Sequence, residues 1–93
     1  MKNLAAGDAI LVPVRADPGA FTGEYLITVE TRDGPTSGFI DAEQVVHRNG
    51  RTFVRVQVLD VGNDWITVRL HGSFFTTSGL AHIGKDAPYL RAA

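Results

Sequence analysis

Apolar and polar residues alternate in four stretches of this chain, and the alternation limits the fold more than any other feature. In residues 54–58, which read VRVQV, the three valines share one side and Arg55 and Gln57 share the other. The same pattern covers residues 10–14, 25–29 and 66–70. Period-two alternation rich in β-branched residues is typical of strands with one buried face. The sequence therefore predicts an all-β fold of antiparallel strands.

The composition is that of one small soluble domain. The chain has 93 residues, of which 44% are hydrophobic, and no cysteine. We expect one modest core within residues 1–84, with residues 85–93 as a docked or disordered tail. The lack of cysteine excludes thiolate nucleophiles, disulfides and cysteine-ligated zinc. Because no apolar run approaches the roughly 18 residues of a membrane span, and no secretory signal is recognisable, we expect a cytoplasmic protein without a membrane partner.

Charge is unevenly distributed along the chain, although the net charge is only −1. Residues 1–46 carry three basic and seven acidic side chains, whereas residues 47–93 carry six basic and three acidic ones. Such a distribution favours one acidic and one basic surface. The alternative is that these charges only solvate a small domain.

The dipeptide Asp33-Gly34 predicts a tight hairpin between two of the strands. A type I′ turn needs a positive φ at both central positions, and aspartate and glycine tolerate this conformation. A turn centred there pairs Val29 with Gly38, so that the glycine faces a β-branched side chain. A bulge or a tight bend is then expected at Gly38.

A second hairpin is expected around residues 62–63. Val58 and Ile66 both belong to buried sides, and a loop of odd length, such as three residues, keeps them level. A one-residue slip would turn every side chain to the opposite side. This register places Arg55 directly opposite Arg69, Gln57 opposite Thr67, and Phe53 opposite His71.

Two stretches of the chain look alike. Residues 27–40 and 66–80 both begin with ITV and both carry TSG before an apolar residue. The buried positions of one copy match buried positions of the other. The pattern favours an internal repeat of a three-strand unit, and coincidence is the alternative.

The stretches LAAGDAILV and EYLITVETRDGPTSGFIDAEQVV carry a Gly-Asp before alternating residues, then a strand, a tight turn, a strand and a short helical turn. In this order residues 4–46 resemble the SH3-like barrel. The resemblance implies a small barrel of five to seven antiparallel strands. It does not imply binding of proline-rich peptides, because Glu24, Asp41 and Gln44 stand where SH3 domains have the Trp, Pro and Tyr of the peptide groove.

The stretch GDAILVPVRADPGAFTGE also resembles the opening of MazF-type ribonuclease toxins, with a Gly-Asp, a strand, and a loop containing Pro, Gly and Glu. The resemblance implies RNA cleavage. That family continues with an Arg-Pro that helps form its active site, and this chain has GEYLITV there. RNA cleavage is therefore only a minor alternative.

The outward side of the second half is the predicted binding site. Two arginines directly opposite on a sheet repel each other, which favours an anion or a carboxylate partner lying over them. Neighbouring aromatic residues offer stacking surfaces for single-stranded nucleic acid. These aromatic residues are Phe53, Trp65, Phe74 and Phe75. The predicted binding residues are Arg55, Gln57, Trp65, Arg69 and His71.

The sequence favours a non-catalytic binding or assembly module, which acts through outward sheet faces on a protein partner or on another copy of itself. The alternative is weak binding of single-stranded RNA or DNA by the basic and aromatic side chains. We expect no enzyme, because no nucleophile, base and oxyanion donor converge in the pattern. We expect neither a cofactor nor a metal, because the three histidines lack the spacing of metal ligands.

Overall fold

The computed structural model describes residues 4–19, 21–71, 73–74, 79–86 and 89–91. Within this part the chain forms ten β-strands and one 3₁₀ turn, so the predicted all-β fold is confirmed. The strands are β1 (Ala9–Pro13), β2 (Arg15–Pro18), β3 (Glu24–Thr31), β4 (Gly34–Asp41), β5 (Val45–Arg48), β6 (Arg51–Val61), β7 (Trp65–Arg69), β8 (Ser73–Phe74), β9 (Leu80–Gly84) and β10 (Leu90–Arg91). The 3₁₀ turn, Ala42–Gln44, separates β4 from β5. The predicted number of strands, five to seven, is too low because several strands are short.

The strands form two antiparallel sheets. The six-stranded sheet has the order β10-β1-β6-β7-β9, and β5 pairs with β6 as well. The four-stranded sheet has the order β2-β3-β4-β8. The long strand β6 pairs with β1 along one edge, and with β5 and then β7 along the other.

The predicted barrel is wrong, because the two sheets do not close into one. A closed barrel needs an uninterrupted ladder of strand pairs around its circumference. In the described residues no strand of one sheet pairs with a strand of the other. Near β9 the sheets are joined by one backbone bond, from the N–H of Arg32 to the carbonyl of His82 (2.8 Å). Elsewhere the chain passes between sheets at Val14, after Pro13, which has no N–H to donate to a ladder.

The alternating residues supply the core between the sheets. Most of the side chains predicted to face inwards are almost fully buried, which confirms the alternation, whereas Val14 and Tyr25 are only partly buried. Among the predicted side chains, the most deeply buried are Ile10, Val12, Ile27, Val29, Val54, Val56, Val58, Ile66 and Val68. Burial of such a side chain contributes about 1.5–3 kcal/mol relative to an exposed one. The orientation of every neighbouring residue on these strands is therefore fixed as well.

The hairpin between β3 and β4 does not contain the predicted type I′ turn. Thr31 pairs with Gly34, so the loop residues are Arg32 and Asp33. Gly34 has a φ of 102°, whereas neither loop residue has a positive φ. The hydroxyl of Thr31 donates to the carbonyl oxygen of Gly34 (2.6 Å) and accepts from the N–H of Asp33 (3.2 Å). These bonds stabilise a turn that begins one residue earlier than the dipeptide suggested.

The register of β3 and β4 differs accordingly. Val29 lies opposite Thr36 rather than Gly38, and Gly38 lies opposite Ile27. The pairing continues without a shift from Glu24 to Thr31, so the bulge expected at the glycine is absent from this ladder.

The hairpin between β6 and β7 leaves the predicted side chains buried, although its turn differs from the predicted loop. A hydrogen bond from the N–H of Gly62 to the carbonyl of Trp65 (2.8 Å) closes a two-residue turn, not a three-residue loop. Val58 lies opposite Val68 rather than Ile66, and the register shifts between Val58 and Asp60. The intervening Leu59 is an extra residue, a β-bulge. With a two-residue turn alone, buried residues of β6 would lie opposite exposed residues of β7. The extra residue of the bulge brings buried side chains opposite buried ones.

The two similar stretches do not occupy equivalent places in the sheets. In the first, Ile27 and Gly38 lie opposite each other on the neighbouring strands β3 and β4. In the second, β8 lies between β7 and β9 in sequence but pairs with β4 of the other sheet. The first strand of the expected unit, which holds Val12, is β1 and pairs with β6 in the six-stranded sheet. The internal repeat of a three-strand unit therefore stays a prediction.

The C-terminal residues return to the start of the chain. Leu90 and Arg91 pair with Leu11 and Ile10 of β1. Tyr89 is partly buried and packs against the core. The six-stranded sheet thus ends on β10.

Removal of Leu59 tests the role of the bulge. Without it, Val58–Val68 and Asp60–Thr67 become successive rungs of a regular ladder, so every buried side chain keeps its side. We expect a folded variant whose free energy of unfolding falls by only about 1–2 kcal/mol, measured by urea denaturation.

The matched control is removal of Thr28 from β3, which pairs with β2 and β4 without a bulge. This deletion reverses the facing of Ile27 or of Val29, and we expect loss of the cooperative transition. If both deletion variants are unfolded, the bulge does not have the proposed role of keeping buried side chains on the buried side.

Candidate functional site

On the side of the six-stranded sheet away from the core, the residues from Arg55 onwards face solvent, whereas Leu11 and Phe53 on the same side are buried. Because Val54, Val56 and Val58 are buried, the residues between them, Arg55 and Gln57, are directed outwards and are exposed. The same alternation applies to β7 and β9. We call this side the outer sheet face; on β6, β7 and β9 it carries Arg51, Phe53, Arg55, Gln57, Asp60, Trp65, Thr67, Arg69, Leu80 and His82.

The two arginines of the predicted site lie on this face but are not a direct pair. Arg69 lies opposite Gln57, because Val58 pairs with Val68. Arg55 is two residues further along β6 and is thus a diagonal neighbour of Arg69, a spacing of about 7–8 Å. The predicted opposition of Arg55 and Arg69 is therefore wrong, whereas their common orientation and exposure are confirmed.

Gln57 lies in a row of residues that crosses the sheet. Its neighbours in the row are Ala9 on β1 and Arg69 on β7, and Arg69 in turn lies opposite Leu80 on β9. Leu80, at the last rung of the pairing between β7 and β9, is 42% exposed. The row therefore places a guanidinium group beside an exposed aliphatic side chain.

The other predicted residues lie at opposite ends of β7. Trp65 is its first residue and is 38% exposed; a side chain at the opposing Gly84 would meet the indole ring at 3.7 Å. Four residues separate Trp65 from Arg69, about 13 Å along a strand. His71 is exposed and follows β7 by two residues. The structure therefore brings together Arg55, Gln57 and Arg69, and places Trp65 at the hairpin end of the face.

A side-chain hydrogen bond occupies the middle of the face. The hydroxyl of Thr67 lies 3.0 Å from Nδ1 of His82, its direct partner on β9. Asp60 lies on the other side of Thr67. A shallow groove at this end of the sheet is lined by Asp60, Asp64, Trp65, Thr67 and His82, among others. This end of the face is therefore polar and partly acidic.

Two further arginines were missed as site residues. Arg48 and Arg51 lie directly opposite each other on β5 and β6, on the same side of β6 as Arg55. They flank a two-residue turn in which Asn49 and Gly50 have φ values of 52° and 76°. Asn-Gly is a strong signal for a type I′ hairpin, so the sequence contained the information needed to place this pair.

The arginines of this side have no carboxylate partner among the residues that the structure describes. The ion pairs found there join Arg15 to Asp17 (3.7 Å) and Arg32 to Asp33 (3.6 Å). Both pairs belong to the other half of the chain. The basic side chains of the outer sheet face are therefore available to a ligand.

The expected stacking surface is smaller than predicted. Phe53 lies opposite Pro13 and is only 3% exposed, so it offers no ring face to a base. The side chain of Phe74 and the whole of Phe75 lie outside the described residues. Trp65 is thus the aromatic residue that the described part of the outer sheet face presents to solvent.

No group of three or more histidine and carboxylate side chains that could hold a metal ion is found in the described part of the chain. The helical structure described there is a single three-residue turn, which is far too short to cross a membrane.

No protein-family model, no curated protein and no solved structure matches this chain. The site is accordingly interpreted from its own geometry.

Replacement of Arg51 by glutamate tests the repulsion within the basic pair. Like charges directly opposite on a sheet destabilise it, and opposite charges stabilise it, by roughly 0.2–1 kcal/mol. We expect Arg51→Glu to raise the free energy of unfolding by about this amount at low salt, measured by urea denaturation.

Arg51→Gln is the matched control, because it removes the repulsion without adding an attraction, and it is expected to give a smaller gain. Both gains should shrink at high salt as the charges are screened. A glutamate variant no more stable than the glutamine variant would show that the two arginines do not interact.

Proposed function

We propose that this protein is a non-catalytic binding and assembly module that uses its outer sheet face to bind an acidic protein surface, on a partner or on another copy of itself. One observation carries the proposal: four arginines share one side of the six-stranded sheet, beside an exposed leucine. They are Arg48, Arg51, Arg55 and Arg69.

Binding of an acidic partner to this face would be favourable for two reasons. Arg48 and Arg51 repel each other in the free protein, and a carboxylate placed between them would relieve this repulsion while forming charge-assisted hydrogen bonds. The exposed part of Leu80, beside Arg69, would be removed from water on binding. Arginine and tryptophan are the residue types most often found at the energetic centres of protein interfaces.

An acidic protein surface fits this face better than a nucleic acid does. Asp60 and Asp64 line the same groove as Trp65, together with Arg32. A phosphate backbone that stacked a base on the indole would therefore meet two carboxylates and one guanidinium group. The net charge of −1 also gives no long-range attraction for nucleic acids. The resemblance to SH3-like barrels adds no site, since the positions of that peptide groove hold Glu24, Asp41 and Gln44.

Weak binding of single-stranded RNA or DNA is the second candidate. It is favoured by the same arginines, because a positively charged surface can follow the backbone of a single strand. A nucleic acid would be held mainly by these charges, so its affinity should fall steeply as salt rises.

Fluorescence anisotropy with two labelled probes separates the candidates. The first probe is a synthetic peptide in which a phenylalanine is flanked by aspartate and glutamate; the second is a mixed-sequence single-stranded RNA. We expect the peptide to bind, and Arg55→Glu and Arg69→Glu each to weaken its binding about tenfold, equivalent to about 1.4 kcal/mol.

Arg15→Glu is the matched control, because it makes the same change of charge on the four-stranded sheet, and we expect less than a twofold effect. Steeply salt-dependent binding of the RNA, without binding of the peptide, would replace the proposal by the second candidate. Binding of neither probe at low salt would overturn both.

A further inference from the structure

The loop between β2 and β3 presents the most exposed large apolar side chain of the described residues. Phe21 is 75% exposed. Backbone hydrogen bonds hold the loop: the N–H of Gly19 donates to the carbonyl of Glu24 (2.8 Å), and the N–H of Glu24 donates to the carbonyl of Phe21 (3.2 Å). A third bond, from the N–H of Ala42 to the carbonyl of Gly23 (2.7 Å), attaches the loop to the 3₁₀ turn. We call Gly19 and residues 21–24 the Phe21 loop.

Carboxylates lie beside this loop. Glu24, at its end, is directly opposite Asp41 on β4, and Glu43 follows within the 3₁₀ turn. None of the three forms an ion pair with another described residue, since the pairs found there involve Asp17 and Asp33. Two carboxylates facing each other on a sheet repel, as two arginines do.

Each sheet thus carries a facing pair of like charges, and the two pairs have opposite sign. Glu24 and Asp41 belong to the four-stranded sheet, and Arg48 and Arg51 to the six-stranded sheet. Each pair lowers the stability of the free chain. The repulsion between Glu24 and Asp41 would be relieved if this acidic pair met basic side chains of another molecule.

We infer that the Phe21 loop of one copy docks on the outer sheet face of a second copy. This inference rests on the proposed function and names the partner of that face. Phe21 contacts the exposed side chain of Leu80, and the carboxylates of Glu24 and Asp41 meet the guanidinium groups of Arg69 and Arg55. The apolar and the charged parts of the two surfaces are therefore both complementary.

The geometry of this contact determines the kind of assembly. The two surfaces are different and belong to different sheets. A single loop-to-face contact leaves one loop and one face free, so its repetition produces a ring or an open chain, whereas two reciprocal contacts close a two-fold dimer. Growth beyond the dimer as the protein concentration rises distinguishes the first arrangement from the second.

Sedimentation velocity over a range of concentrations tests the inference with two variants. Phe21→Ser removes the docking side chain and should not affect folding, because the side chain makes little contact with the rest of the chain. Arg55→Glu combined with Arg69→Glu alters the docking face. We expect either variant alone to raise the dissociation constant of self-association at least about tenfold.

Mixing the two variants gives the decisive result. The Phe21→Ser variant retains an intact face, and the double arginine variant retains an intact loop, so together they can form one native contact. We expect the mixture to form a one-to-one heterodimer with the affinity of the wild type. Failure of the mixture to associate would overturn the inference.

The outcomes separate this inference from the proposed function. If the wild type stays monomeric while the acidic peptide binds the outer sheet face, the homotypic contact is wrong and the binding function stands. If Phe21→Ser associates as the wild type does, the loop is not the docking element. If neither self-association nor peptide binding is seen, both proposals fail.

Discussion

Strand β6 is the element on which the rest of the structure depends, because burial of one side of this strand determines which side chains lie on its other side. Val54, Val56 and Val58 are almost fully buried. With a side-chain period of two, their burial directs the intervening residues to solvent. The strand pairs with β1 along one edge and with β5 and β7 along the other, so the same constraint passes to three neighbours. The basic character of the outer sheet face is thus a consequence of how the core is packed.

Alternation predicted the buried side of each strand but not the partners across it. The side to which each side chain points follows from the sequence of one strand. The register between two strands depends on turns and bulges, which the alternation does not predict. The hydroxyl of Thr31 stabilises an earlier turn than Asp33-Gly34 suggested, and the bulge at Leu59 corrects the parity after a two-residue turn. The dipeptide Asn49-Gly50 favours a type I′ hairpin, and this turn would have placed Arg48 opposite Arg51.

The Phe21 loop shows a different limit. The alternation of residues 10–14 ends before this loop, and nothing in the residues that follow indicates whether a phenylalanine packs inwards or faces solvent. The exposed side chain belongs to a loop that backbone bonds close and attach to the 3₁₀ turn. The uneven distribution of charge along the chain predicted an acidic and a basic surface, but not which residues face each other. The structure adds that the facing like-charge pairs, acidic and basic, lie on different sheets.

The most direct test of the docking of acidic surfaces on the outer sheet face is intermolecular paramagnetic relaxation. The chain has no cysteine, so Thr22→Cys in the Phe21 loop provides a single site for a nitroxide. The nitroxide-labelled protein would be mixed with isotopically labelled wild type. Only the amide signals of the wild type, which carries no nitroxide, are then observed. We predict selective broadening of the amides around Arg69 and Leu80. Broadening at other sites, or none at concentrations where the protein associates, would contradict the proposed interface.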